Sequence, residues 1–246
     1  MWSVAHPCRG IWWRRQRAVP DAPNPHALRA RARRALIFAT GRLRRGTEAD
    51  KATDYWSRLP DYHLSNDQDP QAIERSEWVA KEVLPTLDVS SLLEVGTNSG
   101  RNLGIIKAAH PRMRLRGIDV NARAIEYARS KGLDVEFEMA DANRWEEGSW
   151  DCVLTMSVLD HIPNDAAEQL AGNIARSAKY VIAVELWDGA DRTTGAYKYS
   201  RDTSALFSRH GFRTVRWAQA PGQYDTERSL LWAYVGARGD VPSASR

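Results

Sequence analysis

Two carboxylates beside a glycine-containing loop form the most distinctive chemical pattern in the sequence. Glu94 ends a short apolar run, the loop at residues 96–100 (GTNSG) follows it, and Asp119 ends the next apolar run. Glycine permits a tight turn and the close approach of a ligand, and a helix that begins after the loop offers free backbone amides. The loop has neither the dinucleotide pattern G-x-G-x-x-G nor the Gly-Lys-Ser/Thr of a phosphate loop. The carboxylate therefore suits a ligand with an ammonium group better than a pyrophosphate.

Four segments, in order, resemble the motifs of the class I S-adenosylmethionine-dependent methyltransferases. They are residues 92–104 (LLEVGTNSGRNLG), 117–121 (GIDVN), 138–145 (EMADANRW) and 150–164 (WDCVLTMSVLDHIPN). The resemblance extends over about residues 71–236 and implies a Rossmann-like fold with S-adenosylmethionine as the cofactor. Within that family, the flanking segments resemble those of bacterial small-molecule or sugar O-methyltransferases.

The resemblance also implies a role for each cofactor-binding residue. The glycine loop and Glu94 would hold the methionine part of the cofactor, and Asp119 would accept hydrogen bonds from the ribose hydroxyls. Asp141 and the backbone amide of Ala142 would meet the edge of the adenine. The predicted cofactor-binding residues are Glu94, Gly96, Asn98, Gly100, Asp119, Val120, Asp141, Ala142 and Met156.

The segment after the predicted fourth strand carries the candidate catalytic residues. It lacks the Asn/Asp-Pro-Pro-Tyr/Phe run of family members that methylate amino groups of bases or glutamine, and Cys152 lies inside an apolar strand rather than at a nucleophile's position. An oxygen acceptor is the remaining candidate. A hydroxyl that attacks a sulfonium methyl loses its proton as the bond forms, and a histidine accepts such a proton efficiently. His161 is the predicted base and Asp160 orients it; alternatively, His161 caps the next helix or packs over the cofactor.

Residues 159–161, Leu-Asp-His, permit a second interpretation of this segment. They resemble the same run in magnesium-dependent catechol-type O-methyltransferases, in which the aspartate is a metal ligand. That resemblance implies Asp160 and Glu185 as ligands, with Asp188 a further candidate, and Mg²⁺ would lower the pKa of a substrate hydroxyl without a protein base. The Asp-Asn pair that this family carries after the fifth strand is replaced here by Glu185-Leu186. A bound Mg²⁺ is thus an alternative to the general base.

Two aromatic and polar segments outside the predicted sheet are candidates for the acceptor site. Residues 55–70 (YWSRLPDYHLSNDQDP) would lie over the cofactor, and residues 187–202 (WDGADRTTGAYKYSRD) follow the predicted fifth strand. Aromatic faces combined with planar hydrogen-bonding groups suit a sugar or another polar hydroxylated acceptor. Packing as a structural aromatic cluster is the alternative for residues 55–63. The predicted substrate-binding residues are Tyr62, His63, Trp187, Tyr197 and Tyr199.

The elements that must position these residues alternate along the chain. Apolar runs predict strands at residues 91–95, 114–119, 134–139, 152–157, 180–186, 212–218 and 229–235, and periodicity predicts helices at 71–84, 102–109, 122–131, 164–178 and 203–210. This order predicts right-handed crossovers and helices on both faces of a mostly parallel sheet, with the last two strands antiparallel. The predicted fold is therefore α/β: a Rossmann-like methyltransferase fold with seven strands and a C-terminal antiparallel hairpin.

Charge is distributed unevenly along the 246 residues. Residues 1–46 contain 11 Arg and a single acid and carry +10, whereas the remaining 24 basic and 30 acidic residues carry −6. A folded basic surface for nucleic acid is therefore not favoured. No apolar run reaches the ~18 residues of a membrane span. Cys8 and Cys152 do not form a disulfide framework, so a reducing, cytoplasmic compartment is expected.

These patterns divide the chain into three segments. Residues 1–46 form a basic extension, expected to be poorly ordered apart from a helical stretch at about 27–43, residues 47–90 form an N-terminal cap, and residues 91–240 form the cofactor-binding domain. The expected activity is methylation of a hydroxyl of a small molecule or saccharide. The alternatives are methylation of a small amine and a cofactor-binding regulatory protein with a basic docking tail. A homodimer is left open.

Overall fold

A seven-stranded sheet lies at the centre of the computed structural model, which describes residues 25–42, 46–145, 148–222 and 231–239. The strands are β1 (Ser91–Val95), β2 (Arg114–Asp119), β3 (Glu136–Met139), β4 (Trp150–Met156), β5 (Ala178–Leu186), β6 (Arg192–Gly195), β7 (Lys198–Ser200), β8 (Phe212–Gln219) and β9 (Leu231–Arg238). The main sheet has the order β3-β2-β1-β4-β5-β9-β8, and β6 and β7 form a separate hairpin. Since β9 pairs antiparallel with both β5 and β8, it alone runs against the other strands of that sheet.

Helices cover both faces of this sheet. They are α1 (Pro25–Arg42), α2 (Glu48–Ser57), α3 (Tyr62–Asp67), α4 (Pro70–Trp78), α5 (Arg101–Ala109), α6 (Ala122–Ser130), α7 (Asn164–Ser177) and α8 (Thr203–Arg209). The apolar faces of α5 and α6 pack on one side of the sheet, and those of α7 and α8 pack on the other. Within the described ranges, no helix combines the length and the apolar composition that crossing a membrane requires.

The sheet places the ends of β1, β2 and β4 next to one another. β1 pairs in parallel with β2 on one side and with β4 on the other. The strands that follow β1 in sequence, β2 and β3, therefore lie toward one edge of the sheet, whereas β4 and β5 lie toward the other. Ligands of open α/β sheets bind at such a switch point, outside the carboxyl ends of the strands. β1 is buried along its whole length, as the uninterrupted apolar run Leu92-Leu93 requires of a central parallel strand.

Asn121 connects the N-terminal cap to this edge of the sheet. Its Oδ1 accepts hydrogen bonds from the backbone N–H groups of Arg123 (3.1 Å) and Ala124 (3.3 Å) and so caps α6. Its Nδ2 donates to the carbonyls of Trp56 (3.1 Å) and Leu59 (2.9 Å). One buried amide therefore fixes the end of α2 over the end of β2, with every hydrogen-bonding position used.

The predicted α/β fold, with a seven-stranded, mostly parallel sheet and an antiparallel last pair, is confirmed. The predicted helix at 71–84 is also present, but its second half differs in geometry: α4 ends at Trp78 and a π-helical segment, Val79–Val83, continues it. α2, α3 and the β6–β7 hairpin were not predicted, because short elements with mixed composition give no clear periodicity.

The N-terminal extension was predicted as residues 1–46. Its predicted helical stretch corresponds to α1, whereas residues 1–24 and 43–45 lie outside the described residues. The predicted strand at 229–235 begins outside them too, and β9 extends beyond it to Arg238. The division into an extension, a cap and a cofactor-binding domain stays a prediction.

Candidate active site

A cleft of about 810 Å³, including the part open to solvent, lies at the carboxyl ends of β1, β2 and β4. Helix α2 and the start of α3 close one side of it, and the segment after β4 closes the other. Eight predicted site residues line it: Tyr62, Gly96, Asn98, Asp119, Val120, Asp141, Ala142 and His161. The structure thus brings together the predicted cofactor loop, the ends of β2 and β3, and the candidate base.

Asp119 ties the glycine loop to the end of β2. Its Oδ2 accepts a hydrogen bond from the backbone N–H of Asn98 (2.9 Å), and its Oδ1 accepts one from Asn121 (2.8 Å). Burial raises the pKa of Asp119, and these backbone N–H groups oppose that rise. A carboxylate has about four lone-pair positions, so each oxygen can still accept a hydrogen bond from a ligand hydroxyl.

Glu94 lies behind the glycine loop and does not line the cleft. Its carboxylate is buried, accepting hydrogen bonds from Thr97 Oγ1 (2.7 Å) and from Nδ2 of Asn102 on α5. Burial raises the pKa of Glu94 to about 7, although both hydrogen bonds act in the opposite direction. Its contacts are those of a residue that shapes the loop and the start of α5.

The two predicted glycines serve different contacts. Gly96 has a φ of +73° and lines the cleft, and a Cβ there would overlap the side chain of Val158. Gly100 has a φ of +71°, and a Cβ there would lie 2.7 Å from Cζ of Phe137. Gly96 therefore forms part of the cleft surface, where a side chain would not fit. Gly100 lies outside the cleft lining and allows the start of α5 to pack against β3.

The loop after β3 forms the opposite end of the cleft. Asp141 Oδ1 accepts a hydrogen bond from the backbone N–H of Asn143 (2.9 Å), and Asn143 Nδ2 donates to Thr53 Oγ1 on α2 (3.1 Å). This loop and the cap therefore hold each other in place. Met156, also predicted to bind the cofactor, is buried in the apolar layer and does not line the cleft.

His161 ends a short turn, Leu159–His161, that follows β4. Its Nδ1 is 2.9 Å from the carbonyl oxygen of Tyr197, and its Nε2 is 3.6 Å from Asp160 Oδ1. A carbonyl can only accept, so Nδ1 carries the proton in the neutral imidazole and Nε2 keeps its lone pair. The ring of Trp56 lies against the imidazole, with 4.4 Å between the ring centroids. The geometry is that of a histidine held in one tautomer.

Backbone strain is concentrated around this site. Four described residues other than glycine have φ in the left-handed region: Asp61, Asn98, Ser157 and Tyr197. Asn98 and Ser157 line the cleft, and Tyr197 presents the carbonyl that His161 contacts. Such conformations cost about 1–3 kcal/mol each and persist where the surrounding structure determines them.

Asp160 and Glu185, the predicted metal ligands, lie close together below His161. Glu185 Oε2 accepts hydrogen bonds from the backbone N–H groups of Val158 (3.0 Å) and Asp160 (3.2 Å). Burial, and then the charge of Asp160, raises the pKa of Glu185 to about 8. In the described part of the chain, no three His, Cys, Asp or Glu side chains come together as a metal-binding group. One oxygen of Glu185 is thus already occupied by two backbone amides, and the pair Asp160 and Glu185 does not fit a Mg²⁺ site.

The predicted acceptor residues divide into three groups. Tyr62 lines the cleft, while Tyr197 reaches the site through its carbonyl. His63 is buried against the ring of Tyr127, with 5.1 Å between centroids. Trp187 and Tyr199 lie outside the cleft lining, in the segment that leads into and through the β6–β7 hairpin.

Several residues that line the cleft are absent from the predicted site, and among them Thr53 and Trp56 lie on α2. The aromatic pair Tyr55-Trp56 was a signal for Trp56, but its alternative as a structural cluster was equally consistent with the sequence. Phe38 of α1 packs against Tyr55 (6.3 Å between centroids) and Tyr197 (5.3 Å) and so extends this aromatic wall. No pattern around Phe38 indicates that contact.

Residues 92–180 match a family model described as a methyltransferase domain, whereas no curated protein sequence matches the chain. Magnesium protoporphyrin IX methyltransferase from Synechocystis PCC 6803, solved with bound SAM, is 13% identical with a TM-score of 0.59, over 79% of this chain and 99% of that one. The mitomycin 7-O-methyltransferase MmcR is 15% identical with a TM-score of 0.56, over 87% and 69%. The N-methyltransferase NodS from Bradyrhizobium japonicum WM9 is 20% identical with a TM-score of 0.57, over 70% and 99%.

At these identities, the structural likenesses show a shared fold. The family match adds the segment from β1 to the start of β5, which contains the glycine loop, Asp119 and His161. Both findings confirm the resemblance seen in the sequence. Residues 92–180 thus match a methyltransferase domain, and the chain has the fold of the class I S-adenosylmethionine-dependent methyltransferases.

Proposed function

We propose that the protein transfers a methyl group from S-adenosylmethionine to a hydroxyl group of a small molecule, with His161 as the general base. The observation that carries the proposal is the contact of His161 Nδ1 with the Tyr197 carbonyl. It fixes the proton on Nδ1 and leaves Nε2, on a side chain that lines the cleft, to accept a proton.

The chemistry of the cleft supports S-adenosylmethionine as the cofactor. Asp119 offers acceptors for ribose hydroxyls, and Asp141 with the amide of Ala142 offers an acceptor and a donor for the adenine edge. Two solved structures with this fold contain SAM or SAH. When bound, this cofactor supplies a methyl group on a positively charged sulfur.

The residues of the chain then have three tasks. Trp56 and Tyr62 form an aromatic side of the cleft on which the acceptor can stack. With the cofactor bound, His161 Nε2 would take the proton of the acceptor hydroxyl as its oxygen bonds to the methyl carbon; the bond from that carbon to sulfur would break, leaving a neutral thioether. Asp160 Oδ1, 3.6 Å from Nε2, is beyond hydrogen-bonding distance, so it leaves the lone pair free and stabilises the imidazolium that forms.

The aromatic side supports an acceptor with a flat or apolar face. A saccharide presents such a face beside its hydroxyls, and so does a hydroxylated aromatic ring. We propose a small hydroxylated molecule of this kind as the acceptor class. N-methylation of a small amine needs no base. An experiment that offers both hydroxyl and amine acceptors therefore distinguishes it from O-methylation.

The test is methyl transfer by the purified protein to a panel of methyl glycosides, catechol, simple phenols and small amines, read by mass spectrometry with and without chelator. We expect transfer to at least one hydroxyl acceptor, unchanged by chelator. His161→Ala should lower kcat by about 10²- to 10⁴-fold, the usual contribution of a general base. Cofactor affinity, measured by calorimetry, should change less than about twofold, since His161 is not among the residues assigned to the cofactor.

His110→Ala is the matched control. The Nε2 of His110 lies 2.7 Å from the carbonyl of Ala80, so this imidazole is also held by a backbone oxygen, and it lies outside the cleft lining. Full turnover in His161→Ala, or transfer confined to amines, would overturn the proposal.

A further inference from the structure

A buried arginine beyond β7 holds the turn that carries His161. Arg201 is 6% exposed; it lies in the candidate acceptor segment 187–202 but is not one of the predicted site residues. Its Nη1 donates to the carbonyl of Leu159, and its Nη2 donates to the carbonyl of Ile162 (2.9 Å) and to Asn164 Oδ1 (2.7 Å). The three acceptors lie on both sides of His161 in the sequence, so the guanidinium spans the turn.

Other hydrogen bonds hold the first part of the turn: the N–H of His161 donates to the carbonyl of Val158 (2.9 Å), and Glu185 Oε2 accepts from the N–H groups of Val158 and Asp160. The bond that closes the turn, from the N–H of Ile162 to the carbonyl of Leu159, is longer, at 3.3 Å. A planar guanidinium presents its donors in a fixed fork and can reach both carbonyls of this turn at once. The primary amine of a lysine carries the same charge without that fork.

Two acidic side chains, Glu185 and Asp160, interact electrostatically with the guanidinium of Arg201. Burial lowers the pKa of its guanidinium, while the carboxylates of Glu185 on β5 and Asp160 on the turn oppose that effect. A buried arginine that hydrogen-bonds only backbone and amide oxygens has a high cost of desolvation, and nearby carboxylates offset it. The charges of Arg201, Asp160 and Glu185 therefore stabilise one another next to the imidazole of His161.

The same segment of chain contacts the imidazole itself. Tyr197, at the tip of the β6–β7 hairpin, presents the carbonyl that accepts from His161 Nδ1, and Arg201 comes directly after β7. The hairpin therefore holds the ring through one residue and the backbone of the turn through another.

We propose that Arg201 is a positioning residue for methyl transfer: its guanidinium fixes the His161 turn against the β6–β7 hairpin, so that Nε2 of His161 faces the acceptor. This inference rests on the proposed role of His161 as the base. It assigns no contact between Arg201 and the cofactor or the acceptor, since Arg201 lies outside the cleft lining.

The test compares Arg201→Met and Arg201→Lys, with Arg129→Lys as the control. Arg129 also donates twice to a backbone carbonyl, that of Phe137 (3.1 and 2.6 Å), but it lies on α6, outside the cleft lining. We expect Arg201→Met to lower kcat about 10- to 100-fold, since small displacements of a catalytic group have effects of this size. Cofactor affinity should change less than about twofold, and Arg201→Lys should recover only part of kcat.

The imidazole signals of His161 in nuclear magnetic resonance give a second readout that needs no acceptor. His161→Ala identifies them among the six histidines of the chain. The native protein should show the Nδ1-protonated tautomer, and Arg201→Met should show a tautomer mixture.

Three outcomes overturn the inference. They are native kcat in Arg201→Met, equal losses in Arg201→Met and Arg129→Lys, and a loss of stability in Arg201→Met and Arg201→Lys with the tautomer of His161 unchanged. If His161→Ala itself retains turnover, the proposed function fails instead. If His161 is required but Arg201 is not, only this inference fails.

Discussion

The two sides of the cleft are built in different ways. On the side proposed to bind the cofactor, Gly96, Asn98, Asp119 and Asp141 each lie at the carboxyl end of a strand of the sheet or in the loop that follows it. The side proposed to bind the acceptor combines Trp56 of α2, His161 after β4 and Tyr197 of the hairpin, with Phe38 of α1 behind them. Sheet topology alone brings the residues of the cofactor side together. The residues of the acceptor side come from distant segments of the chain and meet only when those segments pack against one another. Changes on the cofactor side should therefore impair all methyl transfer, and changes on the acceptor side should impair it more selectively.

The largest effect is expected from Asp119→Ala on the cofactor side. The substitution removes the acceptor for the N–H groups of Asn98 and Asn121 and the proposed partner of the ribose hydroxyls. Hydrogen bonds to charged groups contribute about 1.5–3 kcal/mol each, so cofactor affinity should fall about 10²- to 10³-fold by calorimetry. Asp134→Ala is the control, because the side chain of Asp134 is 92% exposed and pairs with Lys107. Native affinity in Asp119→Ala would contradict this account of the cofactor side.

A second prediction concerns Glu94 and pH. Its folded pKa of about 7 lies above the ordinary value of 4.5, so between these values the folded state binds the proton more tightly than the unfolded state. The free energy of unfolding should therefore fall as the pH rises from about 4.5 to 7, by about 3 kcal/mol, and change no further from this group above pH 7. Glu94→Gln should remove this dependence in urea unfolding measured across that range. A native-like slope in the variant would assign the dependence to another group.

On the acceptor side, removal of residues 1–45 tests the contacts of α1. The truncation deletes Phe38, which packs on Tyr55 and Tyr197, and Arg34, whose guanidinium lies 5.4 Å from the ring centroid of Tyr62. We expect kcat/KM for the acceptor to fall about tenfold, since aromatic contacts and cation–π contacts contribute about 0.5–1.5 kcal/mol each. Cofactor affinity should stay the same. Unchanged acceptor kinetics would show that residues 1–45 do not contribute to the acceptor site.

The smallest effect is expected from Phe38→Ala alone. It removes the two ring contacts but keeps α1 and Arg34, and kcat/KM for the acceptor should fall about threefold. Leu36→Ala on the same helix is the matched control, because Leu36 is 65% exposed. Steady-state kinetics with the acceptor from the panel separates the two variants. Equal values for both would show that α1 acts through something other than Phe38.

The difference between the two sides also explains what could be predicted from the sequence. Gly96 and Asp119 were predictable because strand-end residues of adjacent parallel strands must meet at one edge of the sheet. His161 was predictable as a residue of the cleft, but its partner, the Tyr197 carbonyl, is a backbone atom that no side-chain pattern identifies.

The contacts of two other residues could not be predicted, because they depend on how distant parts of the chain pack together. Glu94 was predicted to hold the cofactor, yet its hydrogen bonds go to Thr97 and Asn102, and only the packed loop shows that. Arg201 is one of many arginines in the sequence, and its burial against Leu159 and Ile162 depends on the path of the hairpin.

The double role of Asn121 links the motions of the cap to the sheet. The same amide caps α6 and binds the carbonyls of Trp56 and Leu59, so the end of α2 cannot lift from the cleft without breaking both of its donor bonds. Entry and exit of a cofactor therefore require either a path past the closed cap or a local opening that releases this amide. In the first case the on-rate is set by diffusion through the mouth, and in the second by the opening rate, which does not depend on cofactor concentration. Stopped-flow binding at increasing concentration distinguishes these limits, because only the second saturates.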